Sequence, residues 1–384
     1  MFPIWFLDEP DICTDNPDPV MFTLKGWIAA PGKIGKLKFK DRLISQLMPI
    51  TTGLRIDILQ AYNLPATGFQ ASCKFELVKK RDYLELEFYS DDTKYEIIVP
   101  VHSGKISLAE QKKNKLKRLR SIMKCPECGD SIFDEHEGNL TCSACKSQFP
   151  VTNAYYNFLT PALREKFNIV PTSNVSANHY DGFAFNIINR NKNGLILDCG
   201  AGLREKYYGN VVNYEIVAYE STDVLGVAES LPFQDNCFDA VFSFAVLEHV
   251  KDPFLCAKEL VRVLKPDGEI YCNIPFLQPL HGYPHHYYNM SIKGTENLFD
   301  GLIRIERSEV LNMGQPIFAL SWFLNSYLAG LPEDVKEQFL DMKVQDLIKP
   351  GINYLGSDYV LELSKKTQEE LSCCNILYGT KTDK

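Results

Sequence analysis

Three groups of residues in this 384-residue chain have types and spacings that could do chemistry. The first is a pair of C-x2-C motifs, Cys125-Pro126-Glu127-Cys128 and Cys142-Ser143-Ala144-Cys145. Each motif puts two thiolates on one tight turn, and the four together can close a tetrahedral zinc site. Four thiolates leave no open position, so such a zinc is structural and not catalytic. The second group is Asp198-Cys199-Gly200-Ala201-Gly202, which follows the apolar run Leu195-Ile196-Leu197. A buried strand ending in an acid and two glycines is how a doubly wound sheet opens a ligand crevice, because glycine lets backbone approach a ligand with no Cβ in the way. The third group is His281, Tyr283, His285, His286, Tyr287 and Tyr288. Imidazoles and phenols this dense suit a general base or a hydroxyl-binding surface. Imidazole is also a common metal ligand.

The elements that must position these groups follow a regular rhythm. Val211 to Ile216, Asp223 to Val227, Phe238 to Phe244 and Glu269 to Ile274 read as four further strands. Arg204, Glu205, Lys206 and Tyr207 suit a helix start after the glycine turn. Its free N–H groups would point at the crevice. Asp252-Pro253 opens a helix with an apolar stripe at Phe254, Ala257, Leu260, Val261 and Leu264, and Lys265-Pro266-Asp267-Gly268 ends it. Strands alternating with helices imply a parallel five-stranded sheet with right-handed crossovers, an α/β doubly wound, Rossmann-like domain.

This block resembles the class I S-adenosylmethionine-dependent methyltransferases, of the type 11 kind. The likeness rests on Leu197-Asp198-Cys199-Gly200-Ala201-Gly202, Leu231-Pro232-Phe233, Phe238-Asp239-Ala240-Val241, Val246-Leu247-Glu248-His249-Val250 and Arg262-Val263-Leu264-Lys265-Pro266, in this order. It covers about half the chain. The resemblance implies S-adenosylmethionine as cofactor, with Glu215 on the ribose diol and Asp198 orienting the amino-acid end. Gly200, Ala201 and Gly202 would form the close loop, Val227 and Ala228 line the adenine, and Ser243 and Phe244 flank the methionyl part. Two departures stand out: Leu203-Arg204 replaces a third glycine, and Val227 stands where relatives often carry an Asp. The segment His281-Gly282-Tyr283-Pro284-His285-His286-Tyr287 looks like a loop shared by a subset of these enzymes, some of them sugar- and glycan-modifying. His281, His285 and His286 are the catalytic candidates, with His285 or His286 as base or substrate ligand. His249 is expected to fix a helix start. Tyr180 either contacts the ligand or packs in the core.

Residues 1–104 alternate apolar and polar positions in short runs, such as Tyr83-Leu84-Glu85-Leu86-Glu87-Phe88-Tyr89. A period of two means strands with one buried face, hence an accessory antiparallel β-sandwich. Its Lys25-Gly26-Trp27-Ile28 and Thr67-Gly68-Phe69 pieces look faintly similar to modules attached to glycan-modifying transferases, but Trp27 and Phe69 are expected in the core. Residues 105–123 are Lys- and Arg-rich and read as a solvated linker helix. Residues 124–154 are the zinc ribbon, with Ile132-Phe133 and Asn139-Leu140-Thr141 as its hairpin and His136 exposed. A unit this small lacks a core of its own and depends on the metal. Residues 155–384 are the methyltransferase domain with a helical, aromatic extension that caps the substrate pocket or builds a homodimer face.

A net charge of −8 argues against a nucleic-acid surface. No apolar run reaches the roughly 18 residues of a membrane span, and the N-terminus lacks a signal-peptide pattern. The expected location is cytoplasmic, and the 12 cysteines are then thiols and metal ligands. The leading expectation is methyl transfer to an oxygen of a small molecule or glycan precursor. An RNA methyltransferase and a non-catalytic scaffold with a degenerate cofactor site are the alternatives.

Overall fold

The protein is described by a computed structural model covering residues 4–9, 21–30, 32–62, 64–74, 77–78, 81, 83–101, 108–136, 138–152, 155–172, 179–204, 206–282, 285–310 and 314–381. Tyr283, Glu205 and Asn178 lie outside the described residues.

The N-terminal region builds two antiparallel sheets. Strands β1 (Ile4–Glu9), β2 (Met21–Ala29), β4 (Thr51–Leu54) and β5 (Ala66–Lys74) form one, in the order β1-β2-β5-β4; β3 (Lys38–Phe39), β6 (Tyr83–Ser90) and β7 (Thr93–Pro100) form the other, in the order β3-β6-β7. Helix α1 (Arg42–Leu47) connects β3 to β4 across the two sheets, and α2 (Ile56–Tyr62) lies between β4 and β5 of the first. Phe22, Leu24 and Phe69 of the first sheet share one core with Leu84, Leu86, Phe88, Ile97 and Val99 of the second. Trp27 faces the other way, buried with Ala29, Ala66 and Ile58 of α2.

Helix α3 (Leu108–Arg120) corrects the expectation of a solvated linker. Lys112 and Lys115 are only 5% and 1% exposed. Leu116, Leu119 and the following Met123 enter the largest core of the molecule. The basic residues supply donors where the sheet presents carbonyls: Lys112 Nζ donates to the carbonyl of Thr222 at 2.8 Å, and Lys115 Nζ to the carbonyl of Val211 and to Asp223 Oδ2.

The ribbon follows as β8 (Phe133–His136), β9 (Asn139–Cys142) and β10 (Gln148–Pro150), an antiparallel meander in the order β10-β9-β8. His136 is exposed.

The central sheet has six parallel strands, one more than expected: β11 (Tyr156–Asn157), β12 (Ile196–Cys199), β13 (Val211–Glu215), β14 (Val224–Leu225), β15 (Phe238–Phe244) and β16 (Leu264–Asn273), in the order β11-β14-β13-β12-β15-β16. The extra strand is a two-residue edge piece, too short to show a period. Helices α4 (Pro161–Lys166) and α5 (Gly182–Arg190) lie between β11 and β12, and α6 (Pro253–Val263) connects β15 to β16.

No helix follows Leu203 among the described residues, and none joins β13 to β14 or β14 to β15. The sheet is therefore covered by α6 together with segments from earlier in the chain. Leu197, Val212, Tyr214 and Val241 pack with α3, α6 and the ribbon's Phe133, Leu140 and Phe149. Ile196, Val211, Ala240 and Phe242 pack against Ala184, Ile187 and Ile188 of α5. The opposite side of α5 meets the N-terminal sheets: Asn186 Nδ2 donates to the Glu96 carbonyl at 2.7 Å, and Phe185 meets Trp5 edge to face.

Beyond β16 come α7 (Ile292–Leu298), α8 (Pro316–Ala329), α9 (Glu333–Leu340) and shorter helical pieces reaching Glu370. Leu331, Val335 and Phe339 form a small separate core there, and α8 buries none of its residues fully. Among the described residues no helix is long and apolar enough to cross a membrane.

Candidate active site and cysteine cluster

In a parallel sheet the ligand crevice lies beyond the carboxyl ends of the strands, where the strand order reverses. Here that point is β12, flanked by β13 and β15. Asp198 and Glu215 end β12 and β13 on the same sheet edge, since Asp198 pairs in register with Asn213 and Cys199 with Tyr214. Gly200 and Gly202 have φ of +76° and +65°, a backbone region that disfavours side chains. A Cβ on Gly200 would come within 2.2 Å of Val246. The glycine loop is thus fitted against the segment after β15. The N–H of Gly202 donates to Glu215 Oε1 at 3.2 Å, while Oε2 takes the N–H groups of Ile216 and Val217.

Arg204, which stands in place of a third glycine, turns inward. Its Nε and Nη2 donate to Asp198 Oδ2 at 2.9 and 2.6 Å, and its guanidinium lies 4.0 Å from the centre of the Tyr180 ring. Tyr180 O–H donates to the same Oδ2 at 2.5 Å. Burial pushes the Asp198 carboxyl upward, and Arg204 and Tyr180 pull it back. Asp198 Oδ1 and Ser243 Oγ are buried with no hydrogen-bond partner. Orphaned acceptors and donors of this kind are costly unless a ligand satisfies them. Burial also raises the pKa of Glu215, against the three N–H groups that lower it.

Ala201 in the loop is buried, Ala228 is buried in the main core, and Phe244 stacks on Phe242. Val227 is fully enclosed with Leu159, Leu163 and Phe167, so its side chain is a core residue in this conformation. Ala245, directly after β15, holds a φ of +54°; its N–H reaches Asn273 at the end of β16. That strained residue turns the chain out of the sheet toward Glu248 and His249.

The histidine loop folds back onto that turn. The N–H groups of Tyr287 and Tyr288 donate to the Glu248 carbonyl at 2.7 and 3.2 Å. His281 and His286 come together with His249, whose role the sequence understated, and with Glu248, which it missed. His285 does not join them: its ring stacks on Tyr287, its carbonyl accepts from His249 Nδ1, and its Nε2 is buried without a partner. Glu248 and His249 were legible only as part of a motif; sequence spacing gives no hint that residues about thirty positions later fold onto them.

The four cysteines meet. One sulfur from each lies within 4.8 Å of the others, with Cys125–Cys145 and Cys128–Cys142 Sγ separations of 3.6 and 3.5 Å. A tetrahedron with Zn–S bonds of about 2.3 Å has edges near 3.8 Å, which these thiols approach closely. The two turns are built alike: Gly129 N–H donates to the Cys125 carbonyl and Lys146 N–H to the Cys142 carbonyl, with φ of +81° and +63° at Gly129 and Lys146. The set fits zinc.

Comparison with known proteins agrees with this frame. Residues 199–272 match a family described as a methyltransferase domain. An uncharacterised methyltransferase of Schizosaccharomyces pombe is 43% identical over 63 residues, 16% of this chain and 23% of that protein. Cycloartenol-C-24-methyltransferase 1 of rice is 35% identical over 79 residues, 21% of this chain and 23% of its own length. A tRNA U34 carboxymethyltransferase of Campylobacter curvus is 29% identical over 122 residues, 32% and 39% of the two chains. The chain thus spans between about a quarter and two fifths of these relatives. The family match, the relatives and the parallel sheet support a class I S-adenosylmethionine-dependent methyltransferase domain.

Proposed function

We propose that the protein transfers a methyl group from S-adenosylmethionine to an oxygen of a small-molecule acceptor. The observation that carries this reading is the pair Asp198 and Glu215, set on adjacent strand ends around a glycine loop, with Asp198 Oδ1 and Ser243 Oγ left unsatisfied. When bound, the cofactor supplies a methyl group on a positively charged sulfur. Glu215 accepts from the ribose hydroxyls with lone pairs not taken by backbone N–H groups. Asp198 and Arg204 form a buried pair of opposite charges at the zwitterionic amino-acid end, Asp198 Oδ1 accepting from the ammonium and Arg204 facing the carboxylate. Ser243 and Phe244 flank the methionyl part, and Ala201 and Ala228 close the wall. Much of the rate in an in-line displacement comes from holding the two atoms in line and excluding water. His285 Nε2 is the proposed proton acceptor for the hydroxyl, and His281 and His286 line the acceptor end.

The two facing N-terminal sheets constitute an accessory β-sandwich, and Cys125, Cys128, Cys142 and Cys145 hold one structural zinc. The ribbon covers a sheet short of helices, and the sandwich backs the helix α5 that covers its other face. The test is a cofactor-turnover screen against hydroxylated small molecules, sugar nucleotides and RNA. Product formation with a hydroxyl compound that is lost in Glu215→Ala supports the reading; turnover on RNA alone would replace the acceptor class.

A further inference from the structure

Three imidazoles meet at the carboxyl end of β15. The ring centroids of His249, His281 and His286 are 5.1, 5.2 and 4.5 Å apart, each pair edge to face. One nitrogen of every ring donates its hydrogen to an oxygen that can only accept. His249 Nδ1 donates to the His285 carbonyl at 2.7 Å, and His281 Nδ1 to the Pro279 carbonyl at 2.9 Å. His286 Nε2 donates to Asn289 Oδ1 at 2.8 Å, and that amide is oriented by its own Nδ2, which donates to the Gln278 carbonyl at 3.0 Å. The opposite nitrogens, Nε2 of His249 and His281 and Nδ1 of His286, therefore carry the lone pairs of the neutral rings, and that of His286 Nδ1 accepts the N–H of His281 over a long 3.3 Å. A nitrogen from each of the three lies within 4.8 Å of the others.

Glu248 lies against two of the three rings. It is 0% exposed, neither of its carboxylate oxygens has a hydrogen-bond partner, and Oε1 lies 3.7 Å from His249 Nε2 and 3.9 Å from His281 Nε2. A buried carboxylate beside three imidazole lone pairs is stable only with a positive charge among them. Imidazoles whose far N–H groups are tied to carbonyl oxygens are the arrangement that orients metal ligands.

We propose that His249, His281 and His286 bind one divalent cation of the class that accepts imidazole, such as zinc, manganese, iron or cobalt, with the buried Glu248 carboxylate beside two of the rings as its counter-charge. Building on the methyl-transfer reading, the cation holds the acceptor oxygen at this end of the crevice, with Trp322, whose ring lies 5.2 Å from His281, as the adjoining wall. Asn289 is a positioning residue that acts through His286.

The test uses the full chain with its four cysteines already zinc-loaded, and titrates cobalt(II) in the absence of cofactor. One further equivalent of cobalt should bind, with visible bands of nitrogen and oxygen ligation and no sulfur-to-cobalt charge transfer. His281→Ala/His286→Ala should abolish that equivalent while keeping the zinc. Asn289→Leu, which leaves all three imidazoles in place, should weaken it about tenfold or more. Absence of saturable cobalt binding, or binding unchanged in the double variant, would overturn the proposal and point to a shared proton among the rings. Because the titration needs no cofactor, a failure to bind S-adenosylmethionine would sink the methyl-transfer reading separately.

Discussion

Arg204 donates two hydrogen bonds to one oxygen of Asp198, at 2.9 and 2.6 Å, and both side chains are closed off from solvent. The residue stands where a third glycine was expected, and it neutralises the buried acid. Removing one partner of a buried pair leaves the other charge stranded, at a cost of about 3–5 kcal/mol. Arg204→Met should therefore lower unfolding stability by about 3 kcal/mol. Arg204→Met/Asp198→Asn should cost less than the sum of the single changes. Denaturant unfolding of the four proteins of this cycle checks it; simple additivity would show that the pair is not coupled.

Lys115 is another buried cation. It reaches Asp223 Oδ2 at 2.8 Å, sits over the Tyr207 ring, and ties α3 to the sheet edge. Lys115→Met fills the space but strands Asp223, so a loss of about 3 kcal/mol or more is expected. Exposed Lys117→Met on the same helix should change stability by less than about 0.5 kcal/mol. Equal effects of the two substitutions would refute the role assigned to α3.

The ribbon shares its apolar residues with the central sheet, since Phe133, Leu140 and Phe149 lie in one cluster with Leu197, Val212 and Val241. Stripping zinc should consequently loosen the sheet as well as the ribbon. Chelation, or Cys128→Ser/Cys145→Ser, is expected to remove one zinc per chain and to lower the melting temperature of the main transition. A main transition that stays unchanged while zinc is lost would show that the ribbon stands apart.

Asp239 joins two of the sequence motifs. Its Oδ2 takes the N–H of Leu195 and its Oδ1 takes Lys265 Nζ, each at 2.8 Å. Partial burial pushes its carboxyl up, but these two donors outweigh it and the net pKa lies below the ordinary 3.8. A depressed folded-state value means stability that is fully present above the unfolded pKa and is lost as pH falls below it. Acid unfolding should set in through this window, and Asp239→Asn should flatten that part of the stability–pH curve. An identical curve in the variant would count against the assignment.

The motifs were readable because each is fixed by contacts that demand its residue types. Arg262 donates to the carbonyls of Phe233 and Leu231, which binds the Leu231-Pro232-Phe233 and Arg262 motifs together. Gly200 was recognisable because Val246 leaves no space for a side chain. The missing helix after Leu203 was not readable, since Arg204 to Tyr207 have adequate helix propensity and only the inward pull of Asp198 and Asp223 on Arg204 and Tyr207 decides otherwise. Nor was the burial of Lys112 and Lys115, because a lysine run reads as solvated until the carbonyls that receive it are known. The histidine cluster depends on a loop folding back across a turn, a long-range contact that spacing does not encode.

The most direct measurement is calorimetric titration of S-adenosylmethionine into the zinc-loaded protein. Saturable binding near the micromolar range, about −8 kcal/mol, with Glu215→Ala and Asp198→Ala each at least about tenfold weaker, is the predicted result. No heat at millimolar cofactor, or binding indifferent to both substitutions, would contradict the site at Asp198 and Glu215.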